Sequence, residues 1–496
     1  MTTPSQVPSH PARTGAGLVP LFVIATAQLM VVLDDSIVNI ALPSIQSELH
    51  VAPTLLPWVV NAYILAFGAL LLLGGRIGDL KGRKRTLQVG IAIFIVGSLV
   101  GGLGLNVEIL IAARAVQGLG AALAAPNALA LIATTFPERT MRDKALSLYG
   151  AMSGIGIVIG LLLGGILTDL LDWRWVFFIN VPIGLLVLLG SRTLVAGQRR
   201  TGRMDSLGAV LITTGMVALV YAITRFGEDG FGDPIAYVLV GLSAILLIVF
   251  ALTQRNSRNP LVPLSLFRDR NRTGAYLTML GLAIGPMGTF YIITLYMQQV
   301  AGFSPLTTGL SWLPFAVGII LGAGIAPKLL LKAAPRYVAA LGALLGAGGA
   351  FWFSTITVEP NYWTLTAPAM LLVAVGFGLG VIALTQAAVY GVADDRAGVA
   401  SALLNSAQQI GVALGLAILA GVAASITAGT GDRGPQGLVD GYSTALLVGA
   451  GVLLATSVLA LLTLNGRVST GEKTAQELEL SKPGMRIGDD PRHPNA

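Results

Sequence analysis

Two adjacent carboxylates, Asp34 and Asp35, interrupt a long apolar stretch near the amino terminus, and a single arginine, Arg114, interrupts another. Charges inside an apolar span are costly, so they are functional candidates by default. A carboxyl in such a place can hold a proton when shut away from water and release it when hydrated, and a nearby guanidinium tunes that exchange. Asp34, Asp35 and Arg114 are therefore the candidates for proton and substrate coupling, with a helix-packing hydrogen bond to a neighbouring span as the plainer alternative. Gln28, Asp35 and Asn39 are related by seven and four residues and share a helical face, while Asp34 points about 100° away. Only one of the two acids then faces the centre of a cavity, for which Gln28, Asn39 and Gln117 are the uncharged lining candidates.

The elements that hold these groups follow from composition. The 496 residues are 54% hydrophobic and 11% charged, with a mean hydropathy of +0.78. A soluble domain is about half apolar and a quarter charged. In lipid the backbone must satisfy its own hydrogen bonds, which leaves helices or a closed barrel, and the apolar runs are too long and too unalternated for barrel strands. At about 20 apolar residues per span, helices fall at roughly 18–42, 55–78, 86–105, 108–135, 145–170, 175–195, 206–225, 235–253, 273–298, 306–330, 337–357, 363–389, 398–427 and 441–464. The chain is thus an all-α polytopic membrane protein of about fourteen spans, and an even number puts both termini on one side.

Charge placement fixes which side. About 26 of the 31 Lys and Arg residues fall in loops and tails on the side of the termini, about three on the other side and two within spans. Both termini are therefore expected in the cytoplasm, and the net charge of +7 is a topology signal rather than a nucleic-acid footprint. Orientation alone accounts for clusters such as Arg199, Arg200 and Arg203, although a binding role stays open. Trp58, Trp173, Trp175, Trp312, Trp352 and Trp363 fall near the predicted outer ends, where indoles prefer the interface. At 1.5 Å per residue Asp34 lies roughly 12 Å below the outer end of its helix and Arg114 roughly 9 Å below that of its own. The matched depths suggest a shared water-filled cavity.

The spans divide as six, two and six. We expect a cytoplasmic tail over 1–17, a six-helix half over 18–195, basic loops with two extra helices over 196–272, a second six-helix half over 273–464, and a solvated, disordered tail over 465–496. Such repeats often place the substrate site between halves near the midplane. The absence of cysteine and the presence of only three histidines argue against a metal site or other cofactor. No Gly-rich loop of the G-x-x-x-x-G-K-[ST] kind occurs, so ATP is not the expected energy source. Neither an acid/base constellation nor a soluble input domain is present, which argues against an enzyme or a sensor.

Three motifs resemble a known family. Gly75-Arg-Ile-Gly-Asp79-Leu-Lys-Gly82-Arg83-Lys84-Arg85 resembles the signature loop between helices two and three of the major facilitator superfamily. Leu33-Asp34-Asp35-Ser36-Ile-Val-Asn39-Ile-Ala41-Leu42-Pro43 is similar to helix one of its fourteen-span drug:proton antiporters, whose characteristic acid falls on Asp34. Arg114-Ala-Val-Gln117-Gly118-Leu-Gly120 resembles the motif whose arginine is associated with proton transfer. Gln298 to Pro314 and Gly398 to Gly411 look like the same branch, so the likeness covers nearly all spans. It implies the major facilitator fold in the cell membrane and alternating access, with protons entering as small molecules leave and the loop at Asp79 acting as a cytoplasmic latch.

One departure is plain. Where the family's helix-five motif has Gly-Pro, this chain has Gly160-Leu161, followed by Gly164-Gly165. Gly156, Gly160, Gly164 and Gly165 retain a close-packing surface, readable as simple packing or as a moving seam. The expected function is proton-coupled export of amphipathic or cationic compounds such as drugs, dyes or antibiotics. The alternative keeps the fold but carries a lipid, siderophore, amino acid or other metabolite, and in either case the partners are a small molecule, protons and membrane lipids.

Overall fold

The structure is a computed structural model and describes residues 18–196, 205–229, 232–257, 260–392, 394–431 and 434–464. Both predicted tails, and Arg199, Arg200 and Arg203, lie outside these residues. Among the described residues fourteen helices are long and apolar enough to cross a membrane. In the first half they are α1 (Leu18–Leu49), α2 (Trp58–Lys81), α3 (Arg83–Gly102), α4 (Val107–Thr135), α5 (Arg139–Leu170) and α6 (Trp175–Thr193). Next come α7 (Ser206–Phe226) and α8 (Pro234–Asn256). The rest are α9 (Arg270–Val300), α10 (Pro305–Leu330), α11 (Pro335–Phe353), α12 (Tyr362–Val389), α13 (Gly398–Thr430) and α14 (Pro435–Thr463).

Local sequence starts these helices where the loops end. Asn106 accepts from the Ile109 amide at 2.9 Å to cap α4, Asp269 from the Arg272 amide at 2.8 Å to cap α9, and Ser304 from the Thr307 amide at 3.2 Å to cap α10. Each cap satisfies an orphan amide. Pro234, Pro305, Pro335 and Pro435 open α8, α10, α11 and α14, where the missing N–H costs nothing. Asp233 caps α8 through the Ile235 amide, and its hydrogen bond from Arg225 holds the carboxyl below the usual carboxylate range.

Several helices outrun the apolar windows that located them. α1 continues seven residues past 42 to Leu49, and α14 starts at Pro435 rather than near 441. Their polar ends keep making intrahelical hydrogen bonds where hydrophobicity no longer signals a span.

The second half repeats the packing of the first. α1 lies on α5 and α6, α2 on α4, and α3 on α4 and α6; α9 lies on α13 and α14, α10 on α12, and α11 on α12 and α14. α7 packs against α8, and also against α2 of one half and α13 of the other. Burial follows this order: 83% of the α9 window is buried against 17% of the α8 window, so α9 is central and α8 peripheral.

Tryptophan departs in part from the interface reading. Trp175, Trp352 and Trp363 are exposed, but Trp173 and Trp312 are buried. Trp173 donates to Glu48 at 2.7 Å, and Trp312 packs against Phe290 with ring centroids 4.1 Å apart and the planes tilted by 40°. Position near a helix end left open which way the indole turns.

Glycine sets the closest approaches. A Cβ at Gly90 of α3 would stand 2.7 Å from the Gly120 carbonyl oxygen and 2.8 Å from the Ala124 nitrogen of α4, whereas one at Gly150 of α5 would meet nothing within 4 Å. We predict that Gly90→Leu lowers stability by about 1–3 kcal/mol through overpacking. Gly150→Ala should leave it unchanged or slightly raised; thermal unfolding of the purified variants in detergent measures both.

Candidate functional site

The site grows from α4. Arg114 and Gln117, three residues apart, share a face, and Gly118 brings that helix against α2: a Cβ there would come within 2.8 Å of the Ala66 Cβ. This closeness lets the Arg114 Nε donate to the Val59 carbonyl at 2.9 Å. On the opposite flank, Gly97 of α3 makes room for Gln117, whose Cγ lies 2.8 Å from where a Cβ would stand.

Asp34 of α1 meets this assembly. Its Oδ2 accepts from Arg114 Nη1 at 2.5 Å, and its Oδ1 accepts from Gln117 Nε2 at 3.0 Å and from Asn180 Nδ2 of α6 at 2.8 Å. Gln117 also accepts from Arg114 Nη1 at 3.1 Å and donates to Ser98 Oγ of α3 at 2.9 Å. The Arg114 guanidinium lies over the Tyr63 ring, 4.4 Å from its centroid, and the Tyr63 hydroxyl donates to the Val31 carbonyl at 3.3 Å. Asp34, Arg114, Gln117 and Asn180 are each fully buried. Helices α1, α2, α3, α4 and α6 thus contribute to one closed polar cluster.

This corrects the shared-cavity expectation. Asp34 and Arg114 do sit at one depth, but as a direct ion pair enclosed within the first six helices, because three donors converge on one carboxylate. Gln117 and Asn39 each make hydrogen bonds within the packed helices. Gln117 belongs to the enclosed cluster, and Asn39, 1% exposed, donates to the Asp35 backbone carbonyl at 2.7 Å. Asp35 and Gln28 are half-buried. The Asp35 Oδ1 is shielded from solvent and accepts no hydrogen bond, and Arg114 Nη2 likewise makes none. The two acids are therefore chemically distinct: one is saturated with donors, the other is open.

The glycines of α5 press on α1 and α10. A Cβ at Gly156 would stand 3.0 Å from the Val32 side chain, one at Gly160 2.9 Å from the Leu33 carbonyl, and one at Gly164 2.8 Å from the Ile37 carbonyl. Gly165 faces the other half, 2.8 Å from the Pro305 carbonyl. Leu161, at the family's proline position, is buried and its carbonyl touches Gly309 of α10. Toward the basic end of α5, Gly150 and Gly154 have no neighbour for a Cβ within 4 Å, while the Tyr149 hydroxyl between them and the helix start donates to the Ala125 carbonyl of α4 at 3.4 Å.

The basic loop holds to its own half. Arg83 donates to Asp79 Oδ1 at 3.0 and 3.2 Å and to the Ala130 carbonyl of α4 at 3.1 Å. Lys84 donates to the carbonyls of Arg192 in the last turn of α6 and of Leu194 just beyond it, at 2.9 Å each. Gly82 adopts φ 102° between α2 and α3, a backbone open to glycine; Arg85 is exposed, and a Cβ at Gly75 would stand 3.7 Å from the Pro126 side chain. Asp79 thus pairs with the first residue of α3.

Sequence reading missed Asn180, Ser98 and Tyr63. Asn180 carried a usable signal as the lone amide in the apolar segment Trp175–Gly190, whereas Ser98 and Tyr63 read as ordinary packing residues. Among the described residues no group of three or more His, Cys, Asp or Glu is arranged to hold a metal.

A family model described as Major Facilitator Superfamily matches residues 24–416. The chain belongs to the major facilitator superfamily. As a major facilitator it is a transporter, not an enzyme. It is 43% identical to the puromycin resistance protein pur8 of Streptomyces alboniger, over 92% of each chain. It is 37% identical to the cephamycin export protein CmcT of Amycolatopsis lactamdurans, over 90% of this chain and 93% of that one. The fold matches a bacterial homologue of the human lysosomal transporter Spinster, solved inward-facing and unoccupied, with a TM-score of 0.65 at 14% identity over 91% of this chain and 97% of that one.

Removing one partner of a buried ion pair strands the other charge, at a cost of about 3–5 kcal/mol, while an apolar pair of similar volume is often neutral. For this facilitator we predict that Arg114→Met alone destabilises by that amount. The double variant Asp34→Leu with Arg114→Met should recover most of it, as read by thermal unfolding, without recovering transport.

Proposed function

We propose that this chain is a proton-coupled exporter of small amphipathic or cationic compounds, antibiotics among them, working by alternating access in the cell membrane with both termini in the cytoplasm. The observation that carries the reading is the full-length likeness to proteins named for puromycin resistance and cephamycin export. In this reading residues 18–195 and 273–464 act as the two moving halves, and 196–272 supplies the extra helices. The basic loops in this reading face the cytoplasm, the side from which cargo enters.

The site chemistry supports division of labour between the acids. Asp34, with three donors on its carboxylate, acts as the ionised counterpart of Arg114; a proton reaching it weakens that pair and frees α1 from α4. Asp35, half-buried and without a donor on Oδ1, faces the cargo path and exchanges protons or cationic cargo. The energy is the proton gradient, with about 2.3 kcal/mol per charge for each 100 mV of membrane potential.

The test is proton movement in everted vesicles on adding puromycin or an amphipathic dye. Wild type should respond. Asp34→Asn should abolish coupled movement, and Asp35→Asn should weaken it most for cationic cargo. Undiminished proton movement and efflux with both acids neutralised would remove the coupling site, and no response in wild type to any such compound would remove the antiport reading.

A further inference from the structure

At the end opposite the basic loops, the halves are joined by side-chain amides. Gln298 of α9 donates to the Ile40 carbonyl of α1 at 3.0 Å, and Gln299 donates to Gln46 Oε1 of α1 at 2.8 Å. The Tyr442 hydroxyl of α14 in turn donates to Gln299 Oε1 at 2.8 Å, fixing that amide's orientation. Both glutamines lie in Tyr296–Val300, where α9 winds as a π-helix. The wider turn rotates successive side chains away from their α-helical directions, and such turns are frequent at functional sites. Beside them opens a vestibule of about 480 Å³ lined by Pro43, Ser44, Gln46, Gln298, Gln299 and Phe303.

Both amide bonds across this junction are neutral, and beside them the exposed Ser304 hydroxyl at the start of α10 donates to Asp169 Oδ2 of α5 at 3.3 Å. A neutral hydrogen bond is only modestly stronger than the bonds to water that replace it, so the junction can open and close repeatedly, whereas the charged pair at Asp34 stays enclosed in one half. The acceptor Ile40 is six residues from Asp34 on the same helix, roughly 9 Å along its axis. A shift of α1 on Arg114 therefore moves the carbonyl that Gln298 grips.

We propose that Gln298 and Gln299 are positioning residues of the transport cycle, a neutral amide latch that holds the exit shut and that α1 ties to the state of the Asp34–Arg114 pair. The inference rests on the alternating-access reading above. Loss of the latch leaves cargo and proton sites intact but shifts the resting population toward the exit-open form.

The chain has no cysteine, so paired spin labels can be placed without background. Leu105→Cys and Glu359→Cys put them at exposed positions in the α3–α4 and α11–α12 loops, one on each half. In the double variant Gln298→Met with Gln299→Met, the long-distance fraction should rise on the order of tenfold, from the loss of two net hydrogen bonds. Gln299→Met alone should give an intermediate fraction and serves if the double variant folds poorly. Gly165→Leu, which wedges the same end apart at Pro305, is the independent control. If it lengthens the distance and the glutamine variants do not, the latch is overturned and alternating access stands. If neither does, the alternating-access reading falls and the latch with it.

Discussion

A carboxylate and a guanidinium placed among apolar helices must find each other and must find enough further donors and acceptors to replace water. The contact between Asp34 and Arg114 at 2.5 Å imposes that demand on the surrounding structure. Burying two charges costs several kcal/mol per ion unless geometry and extra hydrogen bonds repay it. Here Gln117, Asn180, the Val59 carbonyl and the Tyr63 ring supply the repayment. Because these groups come from α2, α4 and α6 and converge on α1, the pair also sets how those helices sit.

Glycine makes the convergence possible and then divides the molecule into firm and yielding parts. Within the first half, Gly90, Gly97 and Gly118 bring α2, α3 and α4 nearly backbone to backbone. Between the halves the contacts are fewer in kind: Gly68 beside Gln409 with the Ser406 hydroxyl on the Gly68 carbonyl, Gly165 against Pro305, and the glutamines of α9 on α1. None of these involves an ion pair. Firm halves joined by neutral, separable contacts are what a rocking transporter requires.

The two extra helices answer a different physical need. α7 touches both α2 and α13, flanking the seam where the halves meet, and α8 lies outside it. The α8 side chains Val238, Ile245, Ile248 and Leu252 are exposed, apolar groups suited to lipid rather than water. α7 thereby places one helix against both halves at once, with Trp58 of α2 edge-on to Tyr221.

The sequence by itself determined the number and order of the spans, the asymmetry of their basic loops, and the three candidate charges Asp34, Asp35 and Arg114, because hydrophobic run length and the cost of intramembrane charge depend only on residue type. It also carried the family, through short motifs whose spacing survives without any contact being known. Only the tertiary structure decided that Asp34 and Arg114 bond directly in an enclosed cluster, that Gln117 bonds to both of them while Asn39 donates to the Asp35 backbone, and that Asp79 pairs with Arg83. It likewise recruited Asn180, Ser98 and Tyr63, and turned Trp173 and Trp312 inward. Those outcomes depend on how each helix is rotated about its axis. An all-round apolar helix does not encode that rotation in its own pattern; it is fixed by neighbours distant in sequence, through glycine contacts and buried hydrogen bonds.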